Sequence, residues 1–487
     1  QLWHIVFRDR RVLTFIGLLL FLFNMRKSLL LCISAGLLLF SCKKNSFTGN
    51  DAFLNLSSDS VYFDTVFSST GSVTRQVRII NPNDQKLLIS EISLMGGTGS
   101  PFILNINGAP GPVANDLTLE ANDSLYLFIS VYIRPDAEPK AFILQDSIRI
   151  HYNDRDLFIR LSAWGQNAHF LNNEEIKENV TWPNDLPYVI SGNLRVDSNA
   201  TLTIQAGSRL YFHANAAMLV DGTLQALGEA ADSLRVYFNG DRLDKPYASF
   251  PGSWPGIYFS ESSTNNLLQW AVLRNGYQTI VATGPSGNAA PKVVLDQCII
   301  DNSSDAGIIG IQSAIDAANC LISNCGKNIV IALGGTYHFL QCTVASFSSP
   351  VLQHQLPVLS VSDAAMDGTQ LVTGDLQAIF TNCIFWGDVG VPDEILVSRE
   401  GTGAFQVLLD HSILKQEHYP DNIDSISLIL NTDPLFQKTD NQKGEYDFHL
   451  QAGSPVLDQG KDTGPGMDLD GNPRPAGNQD PGCYERQ

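Results

Sequence analysis

Cys298, Cys320 and Cys342 stand 22 residues apart, each inside one recurring phrase. The copies are Gln297-Cys298-Ile299-Ile300-Asp301-Asn302, Asn319-Cys320-Leu321-Ile322-Ser323-Asn324 and Gln341-Cys342-Thr343-Val344-Ala345-Ser346. Thiols in an oxidising envelope could bind metal or pair as disulfides. The chain has no C-x-x-C, and Cys320 and Cys325 lie five apart without a neighbouring His, unlike the tight pairs of a structural zinc site. Side-by-side parallel strands also point Cβ atoms poorly for a disulfide. A buried, reduced cysteine ladder is therefore expected. Looser copies place Trp270, Cys383 and Ser412 in the same slot. In this register Tyr277, Asp305, Lys327 and Ser349 share a column, seven residues after their anchors. Lys327 with Asp305 could be a base and its orienting acid, as abstraction of a carbon-bound proton requires. Without a partner cation or calcium carboxylates, the same residues make a surface ion pair worth under about 1 kcal/mol.

A second candidate is Asp468-x-Asp470-Gly471-Asn472, where carboxylates at alternate positions could converge on calcium. An EF-hand needs an acid at position 12, where Gln479 stands. The alternative is an Asp/Gly turn bonded to its own backbone, with Arg474 paired to Asp480. No other cofactor is indicated. No Ser-His-Asp order, phosphate loop or His-rich cluster is visible. The formal charge of −19, from 31 basic and 50 acidic residues, argues against a nucleic-acid partner.

The elements that must carry these residues are short strands. Residues 169–190 read as a polar, partly helical link. Residues 191–430 read as strands of three to five residues, each closed by Gly or Asn, with no room for crossover helices. A period near 22 with one repeating strand is a solenoid signature. Alternation points each Cys and the residue two later inward, with Asn302 and Asn324 in the following turn. The opening phrases, including Trp254-Pro255-Gly256-Ile257-Tyr258-Phe259, resemble the coils of pectate-lyase-like right-handed parallel β-helices. That resemblance implies a fold hosting polysaccharide lyases and hydrolases, although fold does not settle function. The Asp-Asp pair, His-Gly and Arg-x-Lys of the hydrolase branch do not occur in this region. Residues 431–487 carry Ser454-Pro455 through Gly460, Asp468 through Arg474 and Asp480 through Glu485. They resemble the SPxxDxG…DxDGxxRP…DxGxYE segment that closes many bacterial surface β-helix proteins, which implies a C-terminal cap.

Ahead of the solenoid, residues 51–168 alternate apolar and polar in short bursts separated by turns, the pattern of an immunoglobulin-like sandwich. Val77–Asp84, Leu87–Ile92, Leu125–Val131, Asp146–Ile150 and Leu157–Leu161 carry it, and their order resembles abnormal-spindle/hydin-type domains. The fold class expected is thus all-β: a sandwich, then a right-handed parallel β-helix with a cap. Asp-Ser/Thr-aliphatic triplets, among them those at Asp64, Asp123, Asp146, Asp232 and Asp424, resemble an O-glycosylation acceptor and equally suit ordinary turns.

Before the sandwich, Arg26-Lys27 and an apolar run lead to Leu39-Phe40-Ser41-Cys42, which resembles a bacterial lipobox with a bulky Phe40. The resemblance implies cleavage before Cys42, lipid on its sulfur, and residues 42–50 as a tether. A plain signal peptide with a chance cysteine is the alternative, as is a hairpin anchor over 1–40. Residues 1–24 read as an upstream extension, with Met25 as the start. Lys43-Lys44, rather than Asp, after Cys42 fits outer-membrane retention, periplasmic or surface-exposed. The leading function is a non-catalytic envelope lipoprotein whose β-helix face contacts glycan or protein; a polysaccharide lyase or hydrolase is the alternative. Cys42→Ala is expected to abolish lipid labelling and release the protein from membranes. Unchanged retention in the membrane fraction sinks the lipobox reading.

Overall fold

The computed structural model describes residue 49 and residues 51–67, 71–133, 142–388, 390–464 and 466–487. Cys42 and the apolar runs before it lie outside the described residues. Among those described, helix is confined to three short 3-10 turns, and no helix is long and apolar enough to cross a membrane.

The N-terminal part contains two five-stranded sheets. One runs Asn55–Leu56, Arg75–Ile80, Ser124–Val131, Phe102–Ile106, Ala109–Pro110; the other runs Ser60–Phe67, Arg155–Gln166, Phe142–Tyr152, Leu87–Leu94, Val113–Leu119. Alternation sets the buried face: Val77, Ile79, Leu127 and Ile129 are buried, while Arg78 and Tyr126 point out. Asn81 organises the Pro/Asn turn from a fully buried position. Its Nδ2 donates to the carbonyls of Gln85, Leu119 and Glu120 at 2.9, 3.1 and 2.9 Å.

The C-terminal part is a parallel β-helix whose sheet continues through 26 strands, from His169–Ile176 to Ile429–Leu430. The stretch read as a link therefore contains the first strand. Its polar sequence, with Ile176 its one buried residue, fits an outermost coil that needs few inward side chains. Three inward columns make the core. The first runs Leu194, Met218, Ile257, Ile280, Ile308, Ile329, Leu359, Ile395. The second runs Ala226, Leu268, Leu295, Ala317, Phe339, Phe380, Leu409. The third runs Leu210, Phe238, Leu273, Ile300, Ile322, Val344, Phe385, Leu414. Each buried Leu or Ile contributes roughly 1.5–3 kcal/mol by leaving water.

The cysteine slot is a corner. Trp270, Gln297, Asn319, Gln341, Asn382 and His411 all adopt left-handed backbone, with φ between 48° and 52°. The next residue turns inward: Cys298, Cys320, Cys342, Cys383 and Ser412 are fully buried. Each donates its Sγ–H or Oγ–H to the carbonyl two residues back, as Cys320 does to Ala318 at 3.2 Å and Ser412 to Asp410 at 3.2 Å. Trp270 is thus the left-handed residue, and Ala271 fills the cysteine slot, one position later than the spacing suggested. A large aromatic does not fit that inward corner. After Thr343 the 22-residue coil is interrupted: Thr343 pairs with Ile384, and the insert carries a hairpin, Ala364–Asp367 with Gln370–Thr373.

The C-terminal segment is a strap along one flank. An outward stripe of Ile299, Leu321, Ile384 and Ile413 would otherwise face water, and Phe436, Phe448, Leu450, Val456, Leu469 and Cys483 cover it. The corner side chains grip the strap. Gln297 Nε2 reaches the Met467 carbonyl at 3.5 Å and Asn319 Oδ1 accepts from Arg474 Nε at 3.0 Å. Gln341 Nε2 donates to Gln479 Oε1 at 2.5 Å, and Asn382 exchanges two hydrogen bonds with the Lys461 backbone. Gly482 passes so close that a Cβ would lie 2.6 Å from Thr343 Oγ1. Cys298, Cys320, Cys325, Cys342, Cys383 and Cys483 are free thiols, and burial pushes Cys325 and Cys483 up to about 12. In thiol titration these six should be silent in the folded protein and all react once it is denatured without reductant. Missing equivalents would mean that disulfides hold the coils.

Candidate functional site

Lys327 and Asp305 do meet, Nζ to Oδ1 at 3.1 Å, with side chains 39% and 25% exposed. Gln278 Nε2 donates to the other Asp305 oxygen at 2.7 Å, so the carboxylate is already engaged. The column is off by one from the expected register: Gln278 pairs with Ala306 and Ala306 with Lys327, so Lys327 meets Asp305 diagonally. It does not reach Ser349: because Ile329 pairs with Leu359, the insert carries Ser349 into a separate loop, where its N–H bonds Leu352. The pair lines none of the clefts described below, and its geometry is that of a surface ion pair.

The calcium-like loop closes on itself. Asp468 is fully buried; its Oδ1 accepts the amides of Asp470 and Asn472 at 3.0 and 2.7 Å, and its Oδ2 accepts that of Glu485 at 2.9 Å. Asp470 turns away to His449 Nε2 at 2.8 Å. Amide donors occupy the oxygens a cation would need, so Asp468, Asp470 and Asn472 do not fit calcium. Among the described residues no cluster of three His, Cys, Asp or Glu could hold a metal ion. Arg474 pairs with Glu485 at 2.8 Å, not with the Asp480 carboxylate; both side chains are almost fully buried. Of the Asp-Ser and Asp-Thr triplets, Asp123 ends a turn and accepts the next amide at 2.7 Å, whereas Asp64 and Asp146 make the same bond, at 3.1 and 2.7 Å, from within strands.

Several clefts open on the described residues, two of them beside buried polar atoms without a hydrogen-bond partner. A cleft of about 570 Å³ opens where two long strands, Ala306–Ala318 and Lys327–Leu340, bend between the first and second columns. The bend is a run of left-handed backbone: Gln312 at φ 49°, then Leu333, Gly334 and Gly335 at 60°, 74° and 115°. A side chain on Gly335 would lie 2.3 Å from the Ser313 carbonyl, so glycine is required. Tyr337 fills the space beneath, its hydroxyl donating to Gly334 O and accepting from Ser313 N, both at 3.1 Å. Gln312, Ser313, Asp316, Thr336, His338 and Asp375 line the cleft. His338 Nδ1 lies 2.8 Å from Asp316 Oδ1, and both are half-exposed. Ser313 is 2% exposed, and its hydroxyl has no partner. The Gly334-Gly335 dipeptide inside a strand pattern is the sequence signal for this kink; Asp316 and His338 themselves read as unremarkable surface positions.

The second cleft, about 330 Å³, is bordered by Arg235, Tyr237, Arg274 and Asp470, where the strap reaches the earlier coils. Nothing in its sequence spacing announces it.

No protein-family model matches the chain, and no curated protein matches it significantly. Among solved structures, a family 123 glycoside hydrolase from Clostridium perfringens aligns at 12% identity over 26% of this chain, TM-score 0.18. The match spans only 30% of that hydrolase's length. The catalytic domain of a GH87 alpha-1,3-glucanase, solved with nigerose, aligns at 9% identity over 74% of this chain and 77% of its own, TM-score 0.21. The CooA pilin subunit of enterotoxigenic Escherichia coli aligns at 10% identity over 23% and 97%, TM-score 0.18. Scores this low carry no argument about function.

Beside the second cleft, His449 is held between two carboxylates, 2.5 Å from Asp447 Oδ1 and 2.8 Å from Asp470 Oδ2, and stacks on Tyr484 at 3.8 Å. Burial alone would lower its pKa, but the hydrogen bonds to Asp470 and Asp447 outweigh it and raise it from 6.5 to about 9. A raised histidine stabilises the fold fully below its unfolded value and loses that contribution as pH climbs through its folded value. Urea midpoints should therefore fall between pH 6.5 and 9, and His449→Gln should flatten that fall. Parallel profiles for the two proteins would disprove the clamp.

Proposed function

We propose that the protein is a lipid-anchored envelope protein that binds neutral glycan through the cleft at Ser313. The observation that carries this is the lining: a buried hydroxyl without a partner, set among amide, hydroxyl and carboxylate groups on a rigid bend. A buried hydroxyl left unmade costs roughly 1–3 kcal/mol, which a ligand hydroxyl would recover. Sugars supply such hydroxyls in the density this lining demands. The net charge of −19 and the two cleft carboxylates favour neutral sugars over polyanions, which would be repelled on approach. The anchor at Cys42 and an outer-membrane address rest on the sequence signal alone, and the non-catalytic role rests on the missing hydrolase motifs.

A second reading is favoured by Asp316, His338 and Asp375 lining one cleft, since glycoside hydrolysis needs two carboxyl groups across the scissile bond. One experiment separates the two. Purified protein is titrated against a panel of neutral oligosaccharides, with heat of binding and reducing ends both measured. Binding without new reducing ends, weakened about tenfold by Ser313→Val, supports the binding protein. New reducing ends that vanish in Asp316→Asn would replace it by the hydrolase, and no binding to any sugar would overturn both.

A further inference from the structure

The outer face of the strands that carry the first column is uncharged over six coils. Its leading row runs Tyr258, Val281, Ile309, Val330, Ser360 and Leu396, paired from coil to coil without a register break. Two positions on, alternation brings Thr283, Ile311, Ala332, Ser362 and Ser398 to the same face. None of these side chains is acidic or basic. Charge returns to the row only two coils before Tyr258, at Arg195. Outward positions on the other strands are charged in the same coils: Asp296 and Asp316 beside the second column, Arg274 and Asp301 beside the third. All the residues of the face except Val281 keep part of their surface in water, and Leu396 is 56% exposed.

The chemistry of the face selects what covers it. The C-terminal strap closes the comparable apolar stripe beside the third column, but none of the residues above belongs to that cluster. A polyanion or a basic partner would find no charge to pair with. A sugar would find a few hydroxyls, but neither the carboxylates nor the amide that line the Ser313 cleft. A second copy fits better. A protein of net charge −19 repels its own copies wherever charged surfaces approach, so an uncharged face is where two of them can meet. The side chains suit such a contact. Ile, Val, Thr and Ser are short or β-branched and lose little rotamer freedom when packed, and the face has no Lys, Arg, Glu, Gln or Met to order. A regular sheet face can also be laid on its own copy, with the two sheets about 10 Å apart. Two-fold symmetry closes that contact at two copies, because each buries the same patch.

We propose that the outer face of the first column is a homodimer interface, with two copies packed sheet to sheet about a two-fold axis. Ile309 and Val330 stand in the middle of the row and are its apolar centre. The interface contains none of the residues that line the Ser313 cleft, so it does not rest on the glycan reading.

The test is sedimentation of the purified full-length protein in non-ionic detergent at micromolar concentration. The protein part should sediment at twice the mass of one chain. Ile309→Glu puts a charge in the middle of the row and should weaken the dimer at least about a hundredfold, since like charges would face each other across the interface. Leu396→Glu changes a residue that is already exposed, so the fold tolerates it, and it should weaken the dimer about tenfold. Gln377→Glu adds the same charge to the outer face of the second column and should leave the dimer intact. Silent thiols report the fold of each variant; where Ile309→Glu loses that protection, Leu396→Glu decides in its place. Wild-type protein that stays monomeric overturns the proposal, even if its face captures another protein or a glycan. So does a dimer that persists in the folded variant, or one that Gln377→Glu dissociates equally well.

Discussion

The backbone corner before each cysteine is the constraint on which most of the β-helix depends. A short coil must change direction without a loop, and a single left-handed residue does this at the cost of Cβ strain. Six successive coils accept that cost at Trp270, Gln297, Asn319, Gln341, Asn382 and His411. The following residue must be small and inward, and in every coil but that of Ala271 it also bonds the carbonyl that the corner exposes. A thiol or hydroxyl on one carbon satisfies all three conditions, which explains why Ser412 replaces cysteine without change of geometry. The ladder is thus made of hydrogen-bonding corner pieces rather than reactive groups.

The same corner decides what happens outside. A left-handed residue throws its own side chain outward, so the six corners form a polar-tipped ridge beside an apolar stripe. Gln297, Asn319, Gln341 and Asn382 use that position to hold the C-terminal strap, and Trp270 packs beside its turn at Gly471. The terminal motif becomes intelligible in this light. Asp468 and Gly471 make its turn, Arg474 and Glu485 clasp it internally, and Gly482 lets it touch the coil at Thr343. The segment works by covering a flank, where an exposed stripe of Leu and Ile would otherwise invite association.

Much of this was legible from the sequence. Period, inward alternation and the Asn turn all appear, with Asn302 Nδ2 donating to Asn275 Oδ1 at 2.7 Å and extending the ladder beyond the copies first aligned. The same reading slipped at Trp270 because a period fixes spacing but not which of two neighbours turns inward. It failed at Ser349 because an insert shifts every later column. It left Asp468 and Asp470 open between calcium ligands and a self-bonded turn, because spacing cannot say whether amides have already filled their oxygens. The two clefts escaped it altogether. One arises from a kink shared by two coils, the other from residues as distant in sequence as Arg235 and Asp470, and neither leaves a periodic trace.

Buried polar groups, compared with one another, separate scaffold from site. Lys292 is fully buried, and burial lowers its pKa to about 8. Yet its three N–H groups are spent on the carbonyls of Ser260, Glu261 and Thr283, at 2.7, 2.9 and 2.8 Å. It closes a turn and has nothing left to offer. His354 and Glu394 face each other at 3.1 Å with Lys415 beside them, and although His354 Nδ1 lacks a partner, it lines none of the described clefts. Ser313 differs from both: it is buried, its hydroxyl is unmade, and it lines an open cleft. A fold this repetitive could satisfy that atom with one more carbonyl, as it does for Lys292. That it leaves the hydroxyl unmade beside a cleft, on strands held rigid by a kink, is the physical reason for assigning a ligand to this place.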